Sequence, residues 1–154
     1  MILNALAGGS ITLSQLAAIY RILDFAGDRR TCFVLMPFAK EFDPVYVRGI
    51  EPTLTERKWI CRRADRIFQP REIMTLIWEN ILRADLIIAD LTGRNPNVFY
   101  ELGYAHALHK NTVLITQSID DVPFDLRHRQ MIKYFATAKG YKDLNESLKN
   151  YVKS

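Results

Sequence analysis

The segment Ala84–Lys110 constrains the fold of this chain more than any other stretch. It opens with an unbroken apolar run, Leu86–Ala89, which is too short for a lone helix and is closed by Asp90. Such a run is typical of a strand that is covered on both faces in a parallel sheet. Asn95 is a suitable N-cap, and proline fits the first helical position, so a helix is expected over Pro96–His109. The segment therefore predicts a buried strand, a tight polar loop and a helix.

The remaining chain repeats this alternation of strand and helix. Apolar runs predict four further strands, at Thr31–Phe38, Trp59–Arg63, Thr112–Thr116 and Met131–Phe135. Apolar spacings of three and four predict helices at Pro44–Arg57, with a kink or break near Pro52, at Pro70–Arg83 and at Lys142–Val152. Only the fourth crossover lacks a helical pattern. This order predicts an α/β fold, with a five-stranded parallel flavodoxin-like sheet (2-1-3-4-5) in three layers.

Residues 1–30 are expected to be a helical extension ahead of the α/β domain, which spans residues 31–154. The extra N-terminal helix begins at Ser10 or Thr12 and ends at about Ala26. Its apolar surface is wider than a lone surface helix needs. We expect it to contact a second copy of the chain in a homo-oligomer, and packing on its own domain is the alternative.

Charge and composition narrow the classes of partner. The chain has 154 residues and a net charge of +4, which permits a phosphate-bearing ligand without requiring one. No Cys/His cluster has metal-ligand spacing, so neither a metal nor a cofactor is predicted. No apolar run approaches the roughly 20 residues of a membrane helix, and no secretory signal is recognisable, so a cytoplasmic protein without membrane contact is expected. A basic edge is formed by four arginines, Arg62, Arg63, Arg66 and Arg71. We interpret it as a solvated face, which makes nucleic acid an unlikely partner.

In the predicted strand order, the loops after the first and third strands meet at the switch point where ligands bind. The first loop contains Met36, Pro37 and Phe38, and Phe38 and Phe42 offer flat apolar faces on which a base could stack. The second loop brings Asp90, Thr92, Gly93, Asn95 and Asn97, whose side chains and N–H groups suit hydroxyls or phosphate.

Glu101 follows one helical turn deeper, in the second turn of the helix. A carboxylate placed there can attack an anomeric carbon, or stabilise the oxocarbenium charge that develops as a base leaves. This constellation suits cleavage of an N-glycosidic bond. The structural alternatives are a solvated helix glutamate for Glu101 and a loop cap for Asp90.

The sequence ADLIIADLTGRNPNVFYELGYAHAL, residues 84–108, resembles the strand–loop–helix of the nucleoside 2-deoxyribosyltransferase-like proteins. That group includes the 2-deoxynucleoside 5-phosphate N-hydrolases and is similar in structure to TIR domains that cleave NAD. FVLMPF and FDPVY, which begin at Phe33 and Phe42, resemble a TIR-like, nucleotide-binding subgroup. The tetrapeptide Tyr100-Glu101-Leu102-Gly103 matches the family's nucleophile segment, so the resemblance implies that Glu101 is the nucleophile.

The chain departs from those hydrolases at two places. They carry an acidic residue eight positions before the strand-opening aspartate, where this chain has Ile77. Glu79 is two residues away, which turns it about 200° around a helix. Their glycine- and serine-rich first loop is replaced here by Met36-Pro37-Phe38. Transfer to a second base, hydrolysis, NAD cleavage and binding without turnover therefore all stay open.

The sequence thus predicts N-glycosidic cleavage or transfer on a nucleoside, nucleotide or NAD-like substrate. Glu101 would act at C1, Asp90 would hold sugar hydroxyls or orient the substrate, and Phe38 would stack on the base. Asn95 and Asn97, with the loop N–H groups, would bind phosphate or sugar. The alternative is a nucleotide-sensing module without turnover, including a self-assembling TIR-like signalling or defence domain.

Overall fold

One parallel sheet organises the part of the chain that the computed structural model describes, residues 29–64 and 73–153, without the side chains of residues 73–76. Its strands are β1 (Thr31–Leu35), β2 (Ile60–Arg63), β3 (Leu86–Asp90), β4 (Thr112–Thr116) and β5 (Met131–Lys133). They are parallel and lie in the order β2-β1-β3-β4-β5. The predicted α/β, flavodoxin-like arrangement with order 2-1-3-4-5 is therefore confirmed.

Helices cover both faces of the sheet. They are α1 (π-helical Val45–Ile50 followed by α-helical Glu51–Glu56), α2 (Ile73–Arg83), α3 (Pro96–Ala107) and α4 (Ala138–Leu148). Because successive strand residues point to opposite faces, Ile88 lies in the core beneath α1 and α4, whereas Ile87 lies in the core beneath α2 and α3. This gives the expected three layers.

Three strands are shorter than predicted, and β2 is so by one residue, since it begins at Ile60 rather than Trp59. β1 ends at Leu35, because Pro37 has no N–H for a strand ladder, although the apolar pattern continues to Phe38. β5 ends at Lys133 rather than Phe135. The register places Leu35 beside Ala89, Asp90 beside Ile115, and Thr116 beside Lys133. The residues that follow β1, β3, β4 and β5 therefore emerge at one edge of the sheet.

Three helices also differ from the predicted ones, and α3 does so only at its end, Ala107 rather than His109. The irregular segment of α1 is a π-helix before Pro52, since proline lacks the N–H that would bond the carbonyl of Arg48 in an α-helix. α4 begins at Ala138, four residues before the predicted Lys142, because the Thr137 side chain accepts a hydrogen bond from the N–H of Gly140 at 3.0 Å.

Some predictions fall outside the described residues. These are the helix ending at Ala26 with its contact to a second copy, the start of a helix at Pro70, and the positions of Arg66 and Arg71. In residues 29–64 and 73–153, no helix has the length and apolar character needed to cross a membrane.

Candidate active site

Asp90 is the centre of a buried hydrogen-bond network at the carboxyl end of β3. Its side chain is fully buried, and Oδ1 accepts hydrogen bonds from the Thr92 N–H at 3.0 Å and the Thr92 hydroxyl at 2.6 Å. Oδ2 accepts a hydrogen bond from the Tyr134 hydroxyl at 2.6 Å. Three donors therefore hold this carboxylate in place.

Gln117 joins the end of β4 to the same network. Its N–H donates to Thr92 Oγ1 at 3.0 Å, and its side-chain Nε2 donates to the Tyr134 hydroxyl at 3.1 Å. The residues after β3, β4 and β5 are thus tied together through Asp90. Gln117 and Tyr134 were not among the predicted site residues, because neither carries a local motif and their contacts depend on strand register.

The electrostatics of the network favour Tyr134 as the donor and Asp90 as the acceptor. Burial raises the pKa of Asp90, while the hydrogen bonds from Thr92 and Tyr134 oppose this rise. Burial and the neighbouring Asp90 raise the pKa of Tyr134 well above its ordinary value. We therefore interpret Asp90 as a residue that orders the loop between β3 and α3. Its full burial and its three hydrogen-bond donors leave it poorly placed to bind sugar hydroxyls.

Glu101 is a buried carboxyl in a different setting. It lies on the inner side of α3 among Val98, Leu102 and Ala105, and its exposed fraction is 8%. Desolvation raises the pKa of Glu101 to about 7. No hydrogen bond or ion pair reaches its carboxyl from the residues that the structure describes. Glu101 is consequently divided between its protonated and ionised forms at neutral pH.

The loop between β3 and α3 is held mostly by its own contacts. Asn95 is the N-cap of α3, as predicted, and its side chain accepts hydrogen bonds from the N–H groups of Asn97 at 2.9 Å and Val98 at 3.4 Å. The Arg94 N–H donates to the Leu91 carbonyl at 3.2 Å. The Gly93 N–H donates to Asp121 Oδ2 at 2.9 Å. Three of the N–H groups expected to bind phosphate, those of Gly93, Arg94 and Asn97, therefore already have partners within the protein.

The loop after β1 lies beside this region, because Leu35 and Ala89 are neighbours in the sheet. Met36 and Pro37 are buried, and Met36 packs in the core beneath α1 and α4. Phe38 is exposed and so is free to stack on a ligand. Phe42 packs in the core, so it does not offer the flat face that the sequence suggested.

The interpretation of Arg63 as part of a solvated basic edge is wrong. Arg63 is buried at the carboxyl end of β2, donates to Asp43 Oδ1 at 2.7 Å and lies over the ring of Tyr46, 5.6 Å from its centroid. Strand β2 thus contributes a buried arginine that is paired with the half-exposed Asp43, in place of the solvated charge expected from sequence. Arg62, the next residue towards the N-terminus, is exposed as expected.

Ile77 stands where the resemblance places an acid. It is buried in the same core cluster as Val98 and Leu102, which adjoin Glu101 along α3. The surroundings of Glu101 are therefore more apolar than an acid at this position would make them. Among the described residues, no group of three or more His, Cys, Asp or Glu side chains is arranged to hold a metal ion.

No protein-family model matches the sequence, and no curated protein matches it. Among solved structures, the chain is similar to a CMP N-glycosidase from Clostridium botulinum, with 21% identity and a TM-score of 0.60 over 80% of this chain and 100% of that one. It is also similar to a 2-deoxyribosyltransferase from Bacillus psychrosaccharolyticus, with 16% identity and a TM-score of 0.56 over 75% of this chain and 90% of that one. At these identities the likeness shows the fold, which is nucleoside 2-deoxyribosyltransferase-like. The TIR-like part of the resemblance is not supported by these two structures.

Proposed function

We propose that this chain cleaves or transfers the N-glycosidic bond of a nucleoside or nucleotide, with Glu101 as the nucleophile. The observation that carries the proposal is the buried, solitary carboxyl of Glu101 in the second turn of α3, with its pKa raised to about 7. A perturbed carboxyl beside a switch point is a candidate catalytic group. The shared fold of an N-glycosidase and a 2-deoxyribosyltransferase supports the same reaction class.

The chemistry follows from the setting of Glu101. Its ionised carboxylate attacks C1 of the sugar, the bond from C1 to the base nitrogen breaks, and the electron pair leaves with the base, which takes up a proton. In the second step, water in hydrolysis or a second base in transfer attacks C1, and the bond from C1 to the Glu101 carboxylate breaks. The attacking water or base loses a proton, and the free carboxylate is restored. The apolar surroundings destabilise the carboxylate before the reaction. Positive charge developing on the sugar then stabilises it in the transition state.

The other candidate residues take supporting roles in this proposal. Phe38 stacks on the base, and the amide groups of Asn95 and Asn97 contact the sugar. Asp90 and Thr92 keep the loop before α3 in place and thereby orient the substrate. Gly93 lets the loop turn, because its φ of 77° lies in the left-handed region.

The test is product analysis by liquid chromatography. The purified protein is incubated with NAD, with a panel of ribonucleosides and 2-deoxyribonucleosides, and with their 5-phosphates. Glu101→Gln should release free base more slowly by about three powers of ten, because it removes a covalent nucleophile. The exposed helix glutamate Glu146 supplies the matched control, and Glu146→Gln should leave the rate unchanged.

Each arm of this experiment has a distinct meaning. Free base from a nucleoside or nucleotide, formed by the unmutated protein and lost in Glu101→Gln, supports the proposal. Release of free nicotinamide from NAD would instead indicate that the protein is an NAD-cleaving enzyme. The absence of any free base, with a ligand that still raises the melting temperature, would favour the nucleotide-binding module instead.

A further inference from the structure

The loop before α3 contains two successive residues in the left-handed backbone region. Gly93 has φ of 77° and Arg94 has φ of 55°. The Arg94, Asn97 and Val98 N–H groups already donate to acceptors within the loop. The Gly93 N–H and the Arg94 guanidinium, beside the positive end of α3, are therefore the donors that an incoming anion would use.

A carboxylate of the protein already occupies these donors. Asp121, in the short 3-10 turn Ile119–Asp121 after β4, accepts the hydrogen bond from the Gly93 N–H with Oδ2 at 2.9 Å. Its Oδ1 lies 3.7 Å from Arg94 Nε, and the Arg94 guanidinium also donates to the Asp120 carbonyl. Asp121 thus stands where an incoming anion would have to bind.

Asp121 also places a negative charge near Asp90. Its carboxylate is near enough to Asp90 to contribute to the raised pKa of that residue. A phosphate dianion would have to displace the Asp121 carboxylate and would still lie close to it and to Asp90, which like-charge repulsion disfavours. An uncharged sugar hydroxyl meets no such repulsion and can donate a hydrogen bond to a carboxylate oxygen.

We propose that Asp121 is a specificity-determining residue that makes this site prefer unphosphorylated nucleosides to nucleoside 5-phosphates. The inference rests on the proposed function, because it concerns the same site. In this arrangement the Asp121 carboxylate takes the place of a substrate phosphate on Gly93 and Arg94. The sugar hydroxyl of a nucleoside is then the group that fits beside it.

The test compares kcat/KM for nucleosides and for their 5-phosphates in three proteins. The unmutated protein should prefer the nucleoside by at least about tenfold, since like charges at close range cost that much or more. Asp121→Ala frees the Gly93 N–H and removes one charge, and it should reduce this preference at least about tenfold, mainly by lowering KM for the 5-phosphate. Asp120→Asn removes the same charge one residue away and should leave the preference unchanged.

Two results would overturn the inference. One is an unmutated protein that prefers the 5-phosphate. The other is an equal change of preference in Asp121→Ala and Asp120→Asn, which would reduce the effect to net charge. Both leave the proposed function intact, because free base is still released.

If the protein cleaves none of these substrates, titration calorimetry with the same ligands still tests the role of Asp121. Tighter binding of nucleoside than of 5-phosphate, reversed or equalised in Asp121→Ala, would support the role of Asp121 although the proposed reaction had failed. Binding of neither ligand would overturn both.

Discussion

Asp90 and Glu101 are both buried carboxyl groups, but they differ in the hydrogen bonds that they receive. Asp90 receives three hydrogen bonds, from Thr92 and Tyr134, and ties together the ends of three strands. Glu101 lies eleven positions later in the sequence among apolar side chains, and desolvation alone raises its pKa to about 7. A satisfied buried carboxylate stabilises a fold, whereas an unsatisfied one is costly and is characteristic of functional sites. The difference separates the residue that builds the site from the residue that we expect to react.

The largest effect on stability should come from removing the satisfied carboxylate. Asp90→Ala leaves the Thr92 N–H, the Thr92 hydroxyl and the Tyr134 hydroxyl without their acceptor, so it should lower the free energy of unfolding by about 3 kcal/mol. Urea denaturation measures this loss. Asp125→Ala, in the exposed loop after β4, is the control and should change stability by less than about 0.5 kcal/mol. A similar small loss for Asp90→Ala would mean that the network is dispensable.

The ionised Glu101 carboxylate, in contrast to that of Asp90, should destabilise the folded protein, and this should appear when the pH is raised. Its pKa is raised from 4.5 to about 7 in the folded protein, so the folded state holds its proton more tightly than the unfolded state. The associated stability is fully present below pH 4.5 and is lost as the pH rises through 7. Between pH 5 and pH 8 the unmutated protein should therefore lose about 2 kcal/mol that Glu101→Gln retains.

Urea denaturation at pH 5, 6, 7 and 8 gives that difference directly. Glu146→Gln serves as the control, because this exposed glutamate should leave the pH dependence unchanged. If the free energy of unfolding changed with pH in the same way in the unmutated protein and in Glu101→Gln, Glu101 would be hydrated in solution. It would then not be the unsatisfied buried carboxyl that distinguishes it from Asp90.

The rate of the proposed reaction should depend on the same ionisation. A nucleophile must be deprotonated, so kcat/KM should rise with pH and level off above the Glu101 pKa of about 7. Activity at pH 6 should be about tenfold lower than at pH 8. A rate that is flat over this range would argue against Glu101 as the group that attacks.

Local signals were sufficient to predict one half of this contrast. The apolar run of β3, the Asn95 cap and the helical periodicity after Pro96 predict that Glu101 lies in the second turn of α3, and they leave its burial open. They did not reveal that the Gly93 N–H is occupied by Asp121, 28 residues later, or that Asp90 is bonded to Tyr134, 44 residues later. These contacts depend on how β4 and β5 align with β3, and a single sequence carries little information on that register.

The smallest effect should come from removing one of the three donors to Asp90. Tyr134→Phe deletes only the hydroxyl, and Thr92 still supplies two hydrogen bonds, so we expect a loss of about 1 kcal/mol. Tyr141→Phe, at another buried tyrosine on the inner side of α4, is the matched control. In an Asp90→Ala background the tyrosine hydroxyl has already lost its acceptor, so Tyr134→Phe should then cost nothing or stabilise the protein. Additive losses in this double-mutant cycle would show that the two residues act independently, and Asp90 would no longer differ from Glu101 in being held by its neighbours.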